Sequence, residues 1–199
     1  MNSILTLNEA AVTKFIVKQF GTYLFEKLGI NEPIQIFYDV KEIMDSGDLD
    51  VLIIDPLKPQ EAIVLECKRI KVKIEESQFE KVNKQKDLKK LVHQTNDRIK
   101  RGFHKVYLTV LIVCDGRNKI ANNILFNNPS SETREPIYTS HYFDDLDERA
   151  GMLFLEPSQL TSKNYNLQAG CAIYEMRKPT PQQQPEELTE KLKELLIVK

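Results

Sequence analysis

The sequence predicts an α/β fold: a central mixed β-sheet flanked by helices, with an amphipathic helix at the C-terminus. Three observations predict it. Helical periodicity governs residues 9–28, about 84–101 and 186–198, while short β-branched runs occupy 34–40, 51–54, 62–72 and 106–114. The first three of these runs are close enough in sequence to form an antiparallel meander. A long helix separates the third from the fourth, which implies a parallel crossover. At 199 residues the chain reads as one α/β domain, 1–177, followed by a Pro/Gln linker and terminal helix, 178–199.

In the first helix Val12, Phe15, Ile16, Phe20, Leu24 and Leu28 recur at helical spacing, with Asn8 as N-cap and Gly29 as stop. Pro33 opens an extended segment in which Ile36, Tyr38 and Val40 alternate with Gln35, Phe37 and Asp39, and a turn is expected around Asp45-Ser46-Gly47. The run 51–54 is closed by Asp55-Pro56 and Lys58-Pro59, and the next strand begins with Ile63-Val64-Leu65. Leu88, Leu91, Val92, Thr95 and Ile99 then share one helix face, after an irregular lead-in where Phe79 and Val82 point elsewhere; Gly102 ends the helix. The run 106–114 is the most apolar in the chain and reads as a central strand buried on both faces. Beyond it the pattern predicts a helix over 120–126, a loop over 127–135, a short helix over 143–149, and strands at 152–156 and 172–176. In the final helix Leu188, Leu192, Leu195 and Leu196 line one side.

Composition excludes several classes. Hydrophobic residues make up 41%, too many for a disordered chain. No apolar run approaches the roughly 20 residues of a membrane span, so no membrane partner is expected. Met1-Asn2-Ser3-Ile4-Leu5 has no basic patch before an apolar stretch, and a secretory signal is not expected. Cys67, Cys114 and Cys171 are odd in number and dispersed, which predicts a reducing, cytoplasmic setting rather than a disulfide framework. His93, His104 and His141 do not fall at zinc-ligand spacings, and the glycines form neither G-x-G-x-x-G nor G-x-x-x-x-G-K.

Carboxylates and lysines remain. Asp50 opens one predicted strand, and Glu66-Cys67-Lys68 lies in the next, with Glu66 16 residues after Asp50. Residues two apart in a strand share a face, so Glu66 and Lys68 project together, Cys67 points away, and Asp50 can stand beside Glu66 on the neighbouring strand. Two carboxylates at a core edge repel and resist ionisation. A hard divalent cation such as Mg²⁺ relieves that conflict, and a lysine can orient water or stabilise charge on a phosphate. Metal-assisted phosphodiester hydrolysis uses all three groups. The same residues also fit an ordinary cross-strand charge pair on a half-exposed sheet.

This order of elements, with Asp50 and then Glu66-Cys67-Lys68, resembles the PD-(D/E)XK nuclease superfamily over roughly residues 8–115. The resemblance implies a restriction-endonuclease-like core and a Mg²⁺-dependent endonuclease, with Mn²⁺ as a substitute ion. It implies that Asp50 and Glu66 bind the metal, with the Cys67 carbonyl as a third ligand, and that Lys68 assists the attacking water. Leu49 stands where the family usually has proline. Family members often add a glutamate from the first helix. Glu9, near the centre of the apolar face, is the candidate and is expected to complete the metal's shell, and Glu26, at the edge of that face, is second choice. A polar residue from the helix after the motif would be Gln94.

Charge placement points the same way. Residues 68–105 hold 13 basic and 5 acidic side chains, in a chain whose formal net charge is −1. Such a basic third suits nucleic acid, DNA first, with Arg69, Lys71, Lys73, Lys84, Lys90, Arg98 and Arg101 as candidate contacts. The acidic stretch 132–148 would lie off the phosphate path. Two other readings stay open: a non-catalytic nucleic-acid-binding or assembly module that keeps the nuclease fold, and an interaction protein docking through residues 186–198, the segment expected to make any homodimer or partner contact.

Overall fold

The computed structural model describes residues 8–30, 33–41, 43, 47–74, 80–83, 85–115, 124–161 and 167–197. Among the described residues it is α/β, with four α-helices around one mixed sheet. The elements are α1 (Glu9–Lys27), β1 (Gln35–Val40), β2 (Leu49–Ile54), β3 (Ile63–Ile74), β4 (Glu80–Asn83), α2 (Leu88–Lys100), β5 (Lys105–Asp115), β6 (Ile124–Asn127), α3 (Ser131–Tyr138), β7 (Gly151–Thr161), β8 (Leu167–Arg177) and α4 (Glu186–Ile197). The strands run in the order β1-β2-β3-β5-β6-β7-β8, with β4 added to β3 and a direct β5–β7 pairing. β3, β5 and β7 are parallel, and β1–β2–β3 form the expected antiparallel meander. Among the described residues no helix is long and apolar enough to cross a membrane.

Alternation explains the β-branched runs. Leu52, Ile54, Val64, Ile70 and Val72 belong to the core beneath α2, whereas Val51, Ile53, Leu65 and Cys67 belong to the core beneath α1. α1 starts where Asn8 Oδ1 accepts from the Ala11 N–H at 2.8 Å. It ends where Ile30 N–H returns to the Phe25 carbonyl at 2.8 Å and Gly29 takes φ +66°. α2 is preceded by a 3₁₀ turn, Gln85–Asp87, inside the span expected as regular helix. Where the irregular lead-in was expected, Glu80–Asn83 is a strand, residue 79 lying outside the described residues.

The later elements depart from expectation. Where a helix was predicted over 120–126, Ile124–Asn127 is a strand; residues 116–123 lie outside the described residues, as do 45 and 46 of the expected turn. β6 pairs the far ends of both β5 and β7, contacts that no local pattern announces. The expected loop 127–135 contains the start of α3, capped by Ser130, whose own N–H donates to Glu80 of β4 at 3.0 Å. Of the helix expected over 143–149 only residue 143 is helical, as the end of a 3₁₀ turn, His141–Phe143, and residues 144–149 form turns and bends. The two final strands are longer than predicted because they pair with each other as one hairpin.

The Pro/Gln segment is docked along its length. Gln182 Nε2 donates to the carbonyls of Ile99 (3.0 Å) and Phe103 (2.8 Å), closing the end of α2, and Gln184 Nε2 donates to the carbonyl of Pro59 at 3.0 Å. Leu192 is fully buried, and Leu188, Leu195 and Leu196 pack partly buried on the same core. The leucine stripe is therefore engaged within the chain. Leu192→Ala is expected to cost about 2–5 kcal/mol, read as a lower urea midpoint. A loss well under that range would mean that α4 is not anchored by this residue.

Candidate active site

The site forms where the sheet forks. β2 pairs with β3 from Val51↔Leu65 to Ile53↔Ile63, and β4 takes up the same edge of β3 only from Lys71↔Asn83 onward. Along the stretch between, β3 keeps β5 on its other edge. Buried N–H groups facing the gap still need acceptors. Side chains provide them. Cys67 N–H donates to Asp50 Oδ2 at 2.7 Å, and Arg69 N–H donates to Glu9 Oε2 at 2.8 Å. Two carboxylates thus complete the hydrogen bonding of a strand edge, which fixes both acids at the fork. N–H and C=O of one strand residue point the same way, so the Cys67 carbonyl also faces the gap.

Lys68 joins the group. Its Nζ donates to Glu9 Oε1 at 3.1 Å and lies 3.7 Å from Asp87 Oδ2. Glu9, the first residue of α1, therefore holds the backbone of Arg69 with one oxygen and the ammonium of Lys68 with the other. Glu66 is fully buried, and its Oε1 accepts from Arg98 Nε at 2.6 Å. Its Oε2 is buried with no hydrogen-bond partner among the described residues.

The electrostatics follow from this crowding. Burial lifts the Asp50 carboxyl to about 6; the Cys67 N–H pulls against the shift, while Glu9, Asp48 and Asp39 add to it. Burial also lifts Glu66, opposed by Arg98 and reinforced by Asp50. Cys67 is raised well above the ordinary thiol range by burial and by the carboxylates around it, which keeps it protonated and unreactive.

No protein-family model, curated protein or solved structure matches this chain.

Do these atoms fit a hard cation? Among the described residues no three His, Cys, Asp or Glu side chains are grouped as a ready-made metal cluster. The unpartnered Glu66 oxygen and the mutual electrostatic influence of Asp50 and Glu66 are what such an ion would satisfy. Two carboxylates, one carbonyl and waters make an oxygen donor set suited to Mg²⁺ or Mn²⁺. The fit is to these side chains, with water completing the shell.

Asp50, Glu66, Lys68 and Glu9 gather at the fork. Gln94 is half-buried on α2, one turn before Arg98. Glu26 sits at the other end of α1, in a groove with Tyr23, Lys27 and Cys171. Two expected nucleic-acid contacts are corrected. Arg98 is 3% exposed and bound to Glu66, because it lies seven residues after Leu91 on the inward face of α2. Arg69 is 5% exposed, with its N–H held by Glu9. Arg101 is half-buried and donates to Asp97 at 3.1 Å. Lys84 lies outside the described residues. Lys73 and Lys90 are exposed, as are Lys81, Lys86, Lys89 and Lys100, while Lys71 is half-buried. Sequence reasoning missed Asp87 and the inward role of Arg98; the Leu91–Thr95 spacing carried the signal for the second.

Proposed function

We propose that this chain is a metal-dependent nuclease of the PD-(D/E)XK type, with a restriction-endonuclease-like core, hydrolysing phosphodiester bonds in nucleic acid, DNA first. The observation that carries the reading is the fork itself: Asp50 and Glu9 cap the backbone of the Glu66-Cys67-Lys68 strand in the gap between β2 and β4. A structural charge pair needs no such gap. It puts acids, an ammonium and a backbone carbonyl together at one sheet opening.

In this reading Asp50, Glu66 and the Cys67 carbonyl hold Mg²⁺ or Mn²⁺, and Glu9 orients Lys68. When bound, the ion polarises the phosphate and makes water a better nucleophile at neutral pH. Lys68, fixed from two sides by Glu9 and Asp87, orients the attacking water and stabilises charge developing on a phosphate oxygen. Exposed lysines support a polyanionic substrate. Lys73 and Lys81 face each other directly across β3 and β4, a like-charge pairing that is unfavourable until an anion lies over it.

The test is cleavage of single-stranded, duplex and branched DNA, and of RNA, with Mg²⁺ or Mn²⁺, by wild type, Asp50→Ala and Lys68→Ala. Cleavage by wild type and its loss in both variants is the expected result. Equal cleavage by the variants would remove the assignment. Tight, metal-independent and salt-sensitive binding without cleavage would favour a non-catalytic nucleic-acid-binding module instead.

A second expected result concerns the lysines. Lys73→Ala with Lys81→Ala should weaken nucleic-acid binding at low salt and flatten its salt dependence, the logarithmic slope falling by roughly one for each phosphate left unneutralised. An unchanged slope would place the polyanion elsewhere.

A further inference from the structure

We propose that Arg98 is a positioning residue for the acid pair, an inference that rests on the nuclease reading above. Its guanidinium reaches both strands of the fork. Nε donates to Glu66 Oε1 at 2.6 Å, and Nη2 donates to the backbone carbonyl of Asp48 at 3.0 Å, two residues before Asp50. Nη1 donates to Asp97 Oδ2 at 2.8 Å, and Asp97 also accepts from Arg101 Nε at 3.1 Å, which steadies the guanidinium from behind. One planar cation therefore fixes the side chain of one acid and the backbone leading to the other.

The result is a half-committed carboxylate. Oε1 of Glu66 is tied to Arg98, so the group cannot spin, and Oε2 stays buried with no donor among the described residues. The buried Glu156 shows the contrasting arrangement. Its two oxygens take Arg134 Nε (2.8 Å), Arg134 Nη2 (2.9 Å), Tyr138 Oη (2.7 Å) and Asn128 Nδ2 (3.2 Å), and no oxygen is left over. Arg98 has the donors to close both oxygens of Glu66 in the same way but directs them to Asp48 and Asp97. The geometry keeps one oxygen of Glu66 in a set direction for a cation. Only a rigid fork of donors serves this purpose; a lysine gives one point charge.

The test uses the full chain and Mn²⁺ alone as probe, titrated by calorimetry and by the loss of the free-ion paramagnetic signal. Wild type, Asp50→Asn, Arg98→Lys and Asp97→Asn are compared, and circular dichroism reports whether each is folded. Wild type should bind Mn²⁺ in a manner that Asp50→Asn removes. Folded Arg98→Lys should bind it about 10–100-fold more weakly and cleave with reduced kcat at nearly unchanged KM. Asp97→Asn, which loosens the guanidinium without emptying the buried pair, should show a smaller loss in the same direction and decides the matter if Arg98→Lys does not fold. Affinity within about twofold of wild type in the folded variants would make Arg98 a merely structural partner and overturn the inference, while leaving the nuclease reading in place. Absence of Asp50-dependent Mn²⁺ binding by wild type would overturn both.

Discussion

Asp50→Asn is expected to abolish cleavage and, without metal, to make the protein more stable than wild type near pH 7.5. The stability part follows from linkage. The Asp50 carboxyl titrates near 6 in the folded chain against an ordinary 3.8, so the folded state binds a proton more tightly than the unfolded one. Stability from this group is fully present below about pH 4 and is lost as pH rises through about 6. At neutral pH the ionised carboxylate therefore opposes folding, by up to about 3 kcal/mol at 1.36 kcal/mol per pH unit and by less after solvent screening. Asparagine keeps an oxygen for the Cys67 N–H and carries no charge to bury. Alanine also carries no charge but leaves that amide without its acceptor, so Asp50→Ala should be about 1–3 kcal/mol less stable than Asp50→Asn. Urea unfolding in EDTA at pH 7.5 and pH 4 checks this: the Asp50→Asn advantage should be present at the first and gone at the second. Activity should fall by at least about a thousandfold, because an ion's charge stabilisation is worth several kcal/mol. An asparagine variant that is both active and no more stable would mean that Asp50 is an ordinary surface acid.

Much of the fold could be read locally because each element carries its own signal. The β-branched runs became β2, β3 and β5, and the Leu88–Ile99 stripe became α2. Glu9 was legible for the same reason: an acid at the centre of an apolar helix face must find something polar to touch, and it touches Lys68 and the Arg69 amide. What could not be read is non-local. β6 and α3 are held by distant partners, among them Glu80 of β4 capping the α3 N-terminus. The fork between β2 and β4 is a property of pairing, invisible in either strand alone. Arg98 is the instructive miss. Read by residue type, it joins a run of basic side chains suited to phosphates. Read by face, it follows Leu91 and Thr95 into the interior, where a cation needs a carboxylate, and Glu66 is there.

Glu156→Gln should cost about 3 kcal/mol or more, whereas Glu66→Gln in metal-free protein should cost much less and still abolish cleavage. Both glutamates are fully buried and both meet an arginine. The difference lies in what surrounds the second oxygen. Every group around Glu156 now donates to it. The NH₂ of a glutamine there would find nothing on Arg134, and an acceptor only where Tyr138 turned its hydroxyl or Asn128 flipped its amide, at the expense of the present bonds. Loss of the charge breaks a buried pair at either position, at a cost of about 3–5 kcal/mol. At 156 it is moderated by the 26% exposure of the Arg134 side chain, and at 66 more strongly, because Arg98 keeps Asp97 as a second carboxylate partner at 2.8 Å. Tyr138, stacked on Phe154 with ring centroids 4.1 Å apart, would carry the damage into α3 and β7. At position 66 a glutamine oxygen can keep Arg98, and its NH₂ replaces an oxygen that has no donor to lose. Removing that charge also ends the repulsion from Asp50. Urea unfolding of both variants in EDTA, with circular dichroism as readout, measures the difference directly. Equal losses would mean that the open oxygen of Glu66 has no energetic meaning, and the site would then be a structural ion pair like its counterpart on β7.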